Sequence, residues 1–176
     1  LLSIPGAPFI YYGDEIGMRK IEGIVSVEGG YGRTGSRSPM QWDDTVNAGF
    51  SSAPSSELYI KQDDRADRPT AMSQMNDSNS LRSEIKRLIE IRQAHQALQS
   101  RGKIEFIFAK KNMYPLVYTR TCNTEKILVI INPSNEETVF QSDILPKEKV
   151  YSFGGEIMAD GENISVPANF AGFYVI

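Results

Sequence analysis

Cysteine and histidine are almost missing from this chain of 176 residues, with Cys122 and His95 the only ones. A single thiol excludes an internal disulfide framework and any cysteine-rich zinc site. Cys122 reads as a small side chain, buried or half-buried. A Ser-His-Asp relay or a multi-histidine metal centre would have to run through His95. That residue falls in a helical pattern, where a packed or surface imidazole fits it. Basic runs are also missing, since Lys110-Lys111 is only a pair. The formal charge of -3 and a pI near 5.3 argue against nucleic acid as a partner. No apolar run approaches the ~20 residues of a membrane span, so no membrane partner is expected. The opening Leu1-Leu2-Ser3-Ile4-Pro5-Gly6 has no initiator Met and no basic leader. It reads as the last turn of a helix from a longer protein, stopped by Pro5 and Gly6. The compartment is left open, with the cytoplasm slightly favoured.

What is present begins with Phe9-Ile10-Tyr11-Tyr12, β-forming residues without clean alternation. That is the pattern of a strand buried on both faces, and residues 8–13 are expected as one. Gly13 stops the run, and Asp14 and Glu15 follow at its C-terminal end, where α/β folds place their chemistry. From Arg19 to about Asn76 neither period persists, far beyond the usual ~12–15 residues of a plain loop. Tyr31, Met40, Trp42, Phe50, Tyr59 and Met75 are too many anchors for simple disorder. The stretch reads as an ordered excursion folded over a site, with Ser51–Ser56 its most mobile part.

Asp77 to about Ser100 reads as an amphipathic helix. Leu81, Ile85, Leu88 and Ile89 form one core-facing stripe, Asp77 or Ser80 can cap it, and Gly102 is the stop. The period then changes to that of strands: Ile104–Phe108, Leu116–Thr121, Ile127–Asn132, Thr138–Gln141, Lys149–Phe153 and Phe170–Ile176, with Ile164–Val166 as a further short one. Asn, Pro and Gly turns separate them. Short strands at this spacing predict a small antiparallel sandwich. The expected division is residues 1–102 and residues 103–176.

The excursion holds one dense cluster, Arg33-Thr34-Gly35-Ser36-Arg37-Ser38-Pro39-Met40-Gln41-Trp42-Asp43-Asp44. Trp42 offers a face for a sugar ring, while Arg33, Arg37 and Gln41 can hydrogen-bond hydroxyls. A surface loop pinned by Trp42 and Arg-Asp pairs is the plainer reading of the same residues. Asp14 and Glu15 could form an acid/base pair. Neighbours on an extended chain point apart, so a structural rim role is expected, with Glu15 accepting backbone or arginine hydrogen bonds. Asp63, Asp64 and Asp67 have a spacing calcium could use. The interspersed Arg65 and Arg68 point to internal pairing instead, and no cofactor is expected in this segment.

Residues Pro5 to Met18 resemble the segment around the eighth barrel strand of the alpha-amylase family of glycoside hydrolases. Arg37-Ser38-Pro39-Met40-Gln41-Trp42-Asp43 and Asn47-Ala48-Gly49-Phe50 are similar to two loop motifs of its branch of alpha-glucosidases, oligo-1,6-glucosidases and trehalose synthases. Leu81 to Arg92 resembles the eighth barrel helix, and the strands after Gly102 resemble the family's C-terminal β-sandwich. The resemblance implies an α/β barrel remnant followed by an all-β antiparallel sandwich. It implies a retaining enzyme acting on α-glucosidic bonds of starch-derived oligosaccharides or related α-glucosides. Both catalytic carboxylates and the transition-state-stabilising aspartate would precede Leu1, so this segment alone is expected to be inactive. Arg37 matches an arginine that approaches the sugar at the cleavage site, and Arg33 matches a second one facing the cleft. Arg33-Thr34-Gly35-Ser36 departs from the R-D-N-A typical of oligo-1,6-glucosidases. Calcium could belong to the parent protein. The implied partners are an oligosaccharide and the missing N-terminal barrel, with self-association of the isolated segment through its uncovered apolar faces. A carbohydrate-binding or interaction module, or a catalytically dead family member serving a transporter, are the alternatives.

Overall fold

A computed structural model describes residues 1–24 and 32–176; the expected anchor Tyr31 lies outside them. The chain divides into two compact units, one of Leu1–Pro8 with Ile89–Ile176 and the other of Phe9–Leu88.

The first unit is built on antiparallel strands β1 (Lys103–Phe108), β2 (Leu116–Cys122), β3 (Glu125–Asn132), β4 (Thr138–Gln141), β5 (Glu148–Phe153), β6 (Met158–Asp160), β7 (Asn163–Val166) and β8 (Phe170–Val175). They form a five-stranded sheet in the order β1-β2-β3-β8-β5 and a three-stranded sheet in the order β4-β7-β6. Val117, Leu128, Ile130, Phe170 and Tyr174 from the larger sheet pack with Phe140, Ile164 and Val166 from the smaller one. Each of these aliphatic side chains contributes roughly 1.5–3 kcal/mol by leaving water. Tyr118, Ile127 and Val129, on the opposite face of β2 and β3, are buried as well. Burial on both faces explains why Ile127–Ile131 is continuously apolar instead of alternating. Burial also pushes the Tyr174 phenol up to about 12.

Every strand expected after Gly102 is present: Thr138–Gln141 has the expected bounds, Phe170–Val175 ends one residue early, and the others are longer by one or two residues. Strand β6 is an addition. Its Met-Ala-Asp is exposed throughout and carries no alternation, and it is defined only by pairing with β7. Cys122 is half-buried. The turn at Asn132 is held by that side chain, which donates to the carbonyls of Glu136 and Pro167 and accepts from Ser134.

Two arginines tie the opening residues into this unit. Arg92 donates to the carbonyls of Leu2, Ile4 and Gly6 at 2.9, 2.9 and 2.7 Å. Arg120, fully buried, donates to the carbonyls of Ser3, Leu98, Gln99 and Gly102. Burial lowers the pKa of both. The Ser3 and Tyr118 hydroxyls meet at 2.6 Å. Residues 1–5 are therefore turns anchored by their carbonyls, not the helix end expected from Pro5 and Gly6.

Helix α1 spans Ala71–Met75 and α2 spans Leu81–Ala94. Ser80 caps α2, accepting from the Ser83 amide at 3.2 Å. The helix is shorter at both ends than expected. His95 consequently lies just beyond it, with Nδ1 2.7 Å from Glu125 Oε1. The Leu81, Ile85, Leu88 and Ile89 stripe is only half-buried or exposed, so it is not the covered core face that its period suggests.

In the second unit, the expected strand over 8–13 is not formed. A strand needs a partner ladder, and among the described residues these backbone groups have none. Tyr11 instead turns, its N–H donating to Asp14 Oδ2 and its carbonyl accepting from the Asp14 amide. Phe9 is 88% exposed. Over its described residues the long excursion is held by turns and backbone hydrogen bonds, as expected of an ordered one. It contains single 3-10 turns at Thr34–Arg37, Val46–Gly49 and Ser55–Glu57, too short to leave a period in the sequence.

Candidate functional site

Two adjoining recesses open in the second unit, and the residues singled out from the sequence mostly gather there. The first, of about 320 Å³, is lined by Tyr11, Tyr12, Asp14, Arg19, Lys20, Arg33, Ser36 and Arg37 among others. The second, of about 440 Å³, is lined by Tyr12, Glu15, Arg37, Met40, Trp42, Phe50, Leu58, Tyr59 and Ile60. Arg37 borders both.

Local chemistry explains how these side chains are placed. Gly13 ends the apolar run with φ 89°, and the chain makes one 3-10 turn over Asp14–Ile16. Glu15 Oε2 accepts from the Gly13 amide at 2.8 Å, and Asp14 Oδ2 accepts from Tyr11 at 3.1 Å. Both acids thus accept backbone hydrogen bonds at the rim. Tyr12 donates its hydroxyl to the Ser38 carbonyl at 3.1 Å. Burial holds its phenol above the ordinary range, the Tyr11 hydroxyl adds to this, and the Arg37 charge pulls the other way.

Arg33 precedes the 3-10 turn of Thr34–Arg37 and Arg37 ends it. Gly35 fixes that turn against the preceding segment at Ile21. Its carbonyl accepts from the Ile21 amide at 3.1 Å, and a Cβ on Gly35 would fall 1.8 Å from the Ile21 oxygen. Gly35→Ala is therefore expected to displace the turn and destabilise the protein by about 2–3 kcal/mol, the scale of overpacking. A urea titration followed by the fluorescence of Trp42, the sole tryptophan, measures it.

Trp42 is held by its backbone while its indole stays 52% exposed. Its amide donates to the Ala48 carbonyl at 2.9 Å, and its own carbonyl accepts from Met72 at the start of α1 at 2.8 Å. Gln41 behaves differently. It is fully buried, and its Nε2 donates to the Pro69 carbonyl. It lines neither recess, and its Nε2 is committed to the loop's own backbone. The loop's composition suggested a polar contact, but nothing in it distinguished an inward amide from an outward one.

Four further charges form a network. Asp63, 1% exposed, receives Arg65 Nε at 2.6 Å and Nη2 at 2.7 Å, and Asp67 receives Arg19 at 2.8 and 2.9 Å. These bonds hold both carboxyls below the usual range, Asp63 through Arg65 and Asp67 through Arg19. With both oxygens of each acid committed to a guanidinium, the group does not fit a calcium ion. The folded pKa values lie below the unfolded one, so the stabilisation is full above about pH 4 and is lost as pH falls through the folded values. Trp42 fluorescence is therefore expected to report acid unfolding below about pH 4, with a weaker pH dependence in Asp63→Asn.

Phe50, Tyr59, Leu58 and Ile60 of the second recess were not read as site residues. Phe50 and Tyr59 stood out only as apolar anchors. The available signal was the density of aromatics in a stretch without a period, which marks a lined surface as readily as a buried one.

The family model for the alpha amylase catalytic domain matches residues 1–101. The oligo-1,6-glucosidase of Parageobacillus thermoglucosidasius is 30% identical over 179 residues, covering 86% of this chain and 30% of that protein. The amino acid transporter heavy chain SLC3A1 of Rattus norvegicus is 33% identical over 143 residues, covering 79% of this chain and 20% of that one. The crystal structure of a trehalulose synthase MutB variant in complex with Tris superposes with a TM-score of 0.83 at 25% identity, over 99% of this chain and 36% of the enzyme's. The chain spans about a third or less of the length of these relatives.

Proposed function

Because the chain belongs to the alpha-amylase family, we propose that it is the C-terminal part of a retaining α-glucosidase or transglucosidase. In this reading residues 1–102 carry the last strand, loop and helix of a (β/α)8 barrel, and residues 103–176 form a β-sandwich. The observation that carries it is the paired recess, where Arg37 and Arg33 converge with Tyr12 and Asp14 beside an aromatic wall. Arg, Asp and Tyr together offer donors and acceptors to a hydroxyl-rich neutral ligand.

Glycoside cleavage with retention passes through a positively charged, oxocarbenium-like transition state between two carboxyl groups. A guanidinium does not stabilise a cation. Arg37 therefore binds hydroxyls or orients a carboxylate, and the charge stabilisation comes from acids outside this chain. Asp14 and Glu15 are adjacent residues tied to the local backbone and are read as rim residues, not as the two carboxyls that flank the bond. The chain alone is expected to hydrolyse no α-glucoside, its exposed Phe9 and half-covered α2 being completed by the rest of the barrel.

The test is expression of the complete gene and assay on maltose, isomaltose, sucrose and maltooligosaccharides, beside residues 1–176 alone. Turnover by the complete protein and none by the segment is the expected result. No turnover of any α-glucoside by the complete protein would favour the second reading, a non-enzymatic family member. The similarity to a transporter heavy chain is what recommends that alternative.

A further inference from the structure

The stretch of chain that carries Arg37 is held at each end by another segment, and those two segments are joined to each other. At the near end, the Gly35 carbonyl accepts from the Ile21 amide at 3.1 Å. At the far end, Gln41 Nε2 donates to the Pro69 carbonyl, and the Gln41 carbonyl accepts from the Ala71 amide at 2.9 Å. Arg19, close to Ile21, and Asp67, close to Pro69, then link the two holding segments. Nη1 of Arg19 donates to Oδ2 of Asp67 at 2.8 Å and Nη2 to Oδ1 at 2.9 Å. We propose that this pair is a positioning device for Arg37, with Asp67 setting where the guanidinium stands although it lines neither recess. The catalytic consequence rests on the glucosidase reading above, whereas the brace itself rests on these bonds.

Two parallel bonds between a planar guanidinium and a carboxylate resist rotation as well as separation. Neither segment can slip past the other while the pair is made. Each segment is also anchored by itself. On the first, the Met18 amide donates to the Gly13 carbonyl at 2.9 Å, and the Ile16 carbonyl accepts from Gln74 Nε2 at 2.8 Å. On the second, Thr70 Oγ1 accepts from the Ser73 amide at 3.1 Å, pinning the chain just after Pro69. Asp63, 3.7 Å from Arg19 Nη2, is itself gripped by Arg65. The stretch from Gly35 to Gln41 is short, so movement of either holder reaches Arg37 with little slack to absorb it. A donor at a reacting centre has to be placed within about 0.5 Å by the groups that support it. Asp67 does this at a distance, because both of its oxygens are committed to Arg19.

The experiment compares the complete wild-type protein with Asp67→Asn, Arg19→Gln, Arg37→Lys and the double variant Asp67→Asn/Arg37→Lys. Hydrogen exchange read by mass spectrometry needs no turnover. Asp67→Asn and Arg19→Gln should each speed exchange of the Ile21, Ser36 and Ala71 amides by about 10-fold, the mark of an easier local opening. Unchanged protection of β2, β3 and β8 shows that the variants fold. On maltose and 4-nitrophenyl α-D-glucopyranoside, Asp67→Asn should lower kcat/KM by about 10- to 100-fold, the cost of displacing a reacting geometry by about 1 Å. The loss should fall on the same parameter, kcat or KM, as in Arg37→Lys. In the Arg37→Lys background the same change should cost less than about 2-fold, because the fork that Asp67 places is already gone. Unchanged kcat/KM, or losses that multiply across the two sites, would overturn the positioning role. Unchanged exchange in both variants would overturn the brace itself. A wild type that turns over no α-glucoside removes the glucosidase reading, a different failure, and the exchange result then decides the brace.

Discussion

Arg120→Met should lower the unfolding free energy by about 2–4 kcal/mol, the scale of leaving buried carbonyl acceptors without donors. Among the described residues no carboxylate stands opposite Arg120. Its guanidinium is shared among the carbonyls of Ser3, Leu98, Gln99 and Gly102, in a site with no solvent exposure. Methionine fills much of the volume but donates nothing, so several carbonyls are left buried and unpaired, each costing roughly 1–3 kcal/mol. Relaxation and entering water recover part of that sum. Arg120→Lys should recover little, because one ammonium cannot span acceptors drawn from β2's neighbours and the opening turn. Urea titration followed by far-ultraviolet circular dichroism gives the values. A midpoint equal to the wild type's would show that the carbonyls find other partners and that the arginine is dispensable.

On the proposed glucosidase reading, Arg37→Lys in the complete protein should reduce kcat/KM on α-glucosides by about 100- to 1,000-fold, the loss typical of a misplaced donor at a reacting centre. Lysine keeps the charge, so the comparison isolates the planar fork of donors. If Arg37 orients a carboxylate, the loss falls mainly on kcat. If it holds hydroxyls equally in ground and transition states, the loss falls on KM. Full activity in Arg37→Lys would remove Arg37 from the site.

The β-strands were legible because each alternation or apolar run ends at a turn residue, as at Asn132-Pro133 or Asp160-Gly161. Strand β6 was not, since Met158-Ala159-Asp160 has no pattern and exists only as the partner of β7. The run Phe9–Tyr12 shows the opposite case. Its composition is that of a strand, but pairing is a property of neighbours, and none is present among the described residues. At the site, Arg33, Arg37, Trp42, Asp14 and Glu15 were all legible as candidates, and each lines a recess. Gln41 was legible as a polar residue but not as a buried one. Arg92 and Arg120 went unread because arginines that pair with carbonyls leave no complementary acid in the sequence.

Arg92 has one more consequence, which concerns chain topology and not the strength of any contact. Its guanidinium holds Leu2, Ile4 and Gly6, just before the chain departs at Phe9, and Arg92 itself lies just after the return at Ile89. The unit carrying both recesses is therefore an insertion whose exit and re-entry are clasped by a single side chain. Closing a loop of this length costs about 4 kcal/mol of chain entropy, and the clasp opposes that cost at the neck. With the neck fixed, the points where the chain leaves and rejoins the first unit stay together whatever sequence lies between them.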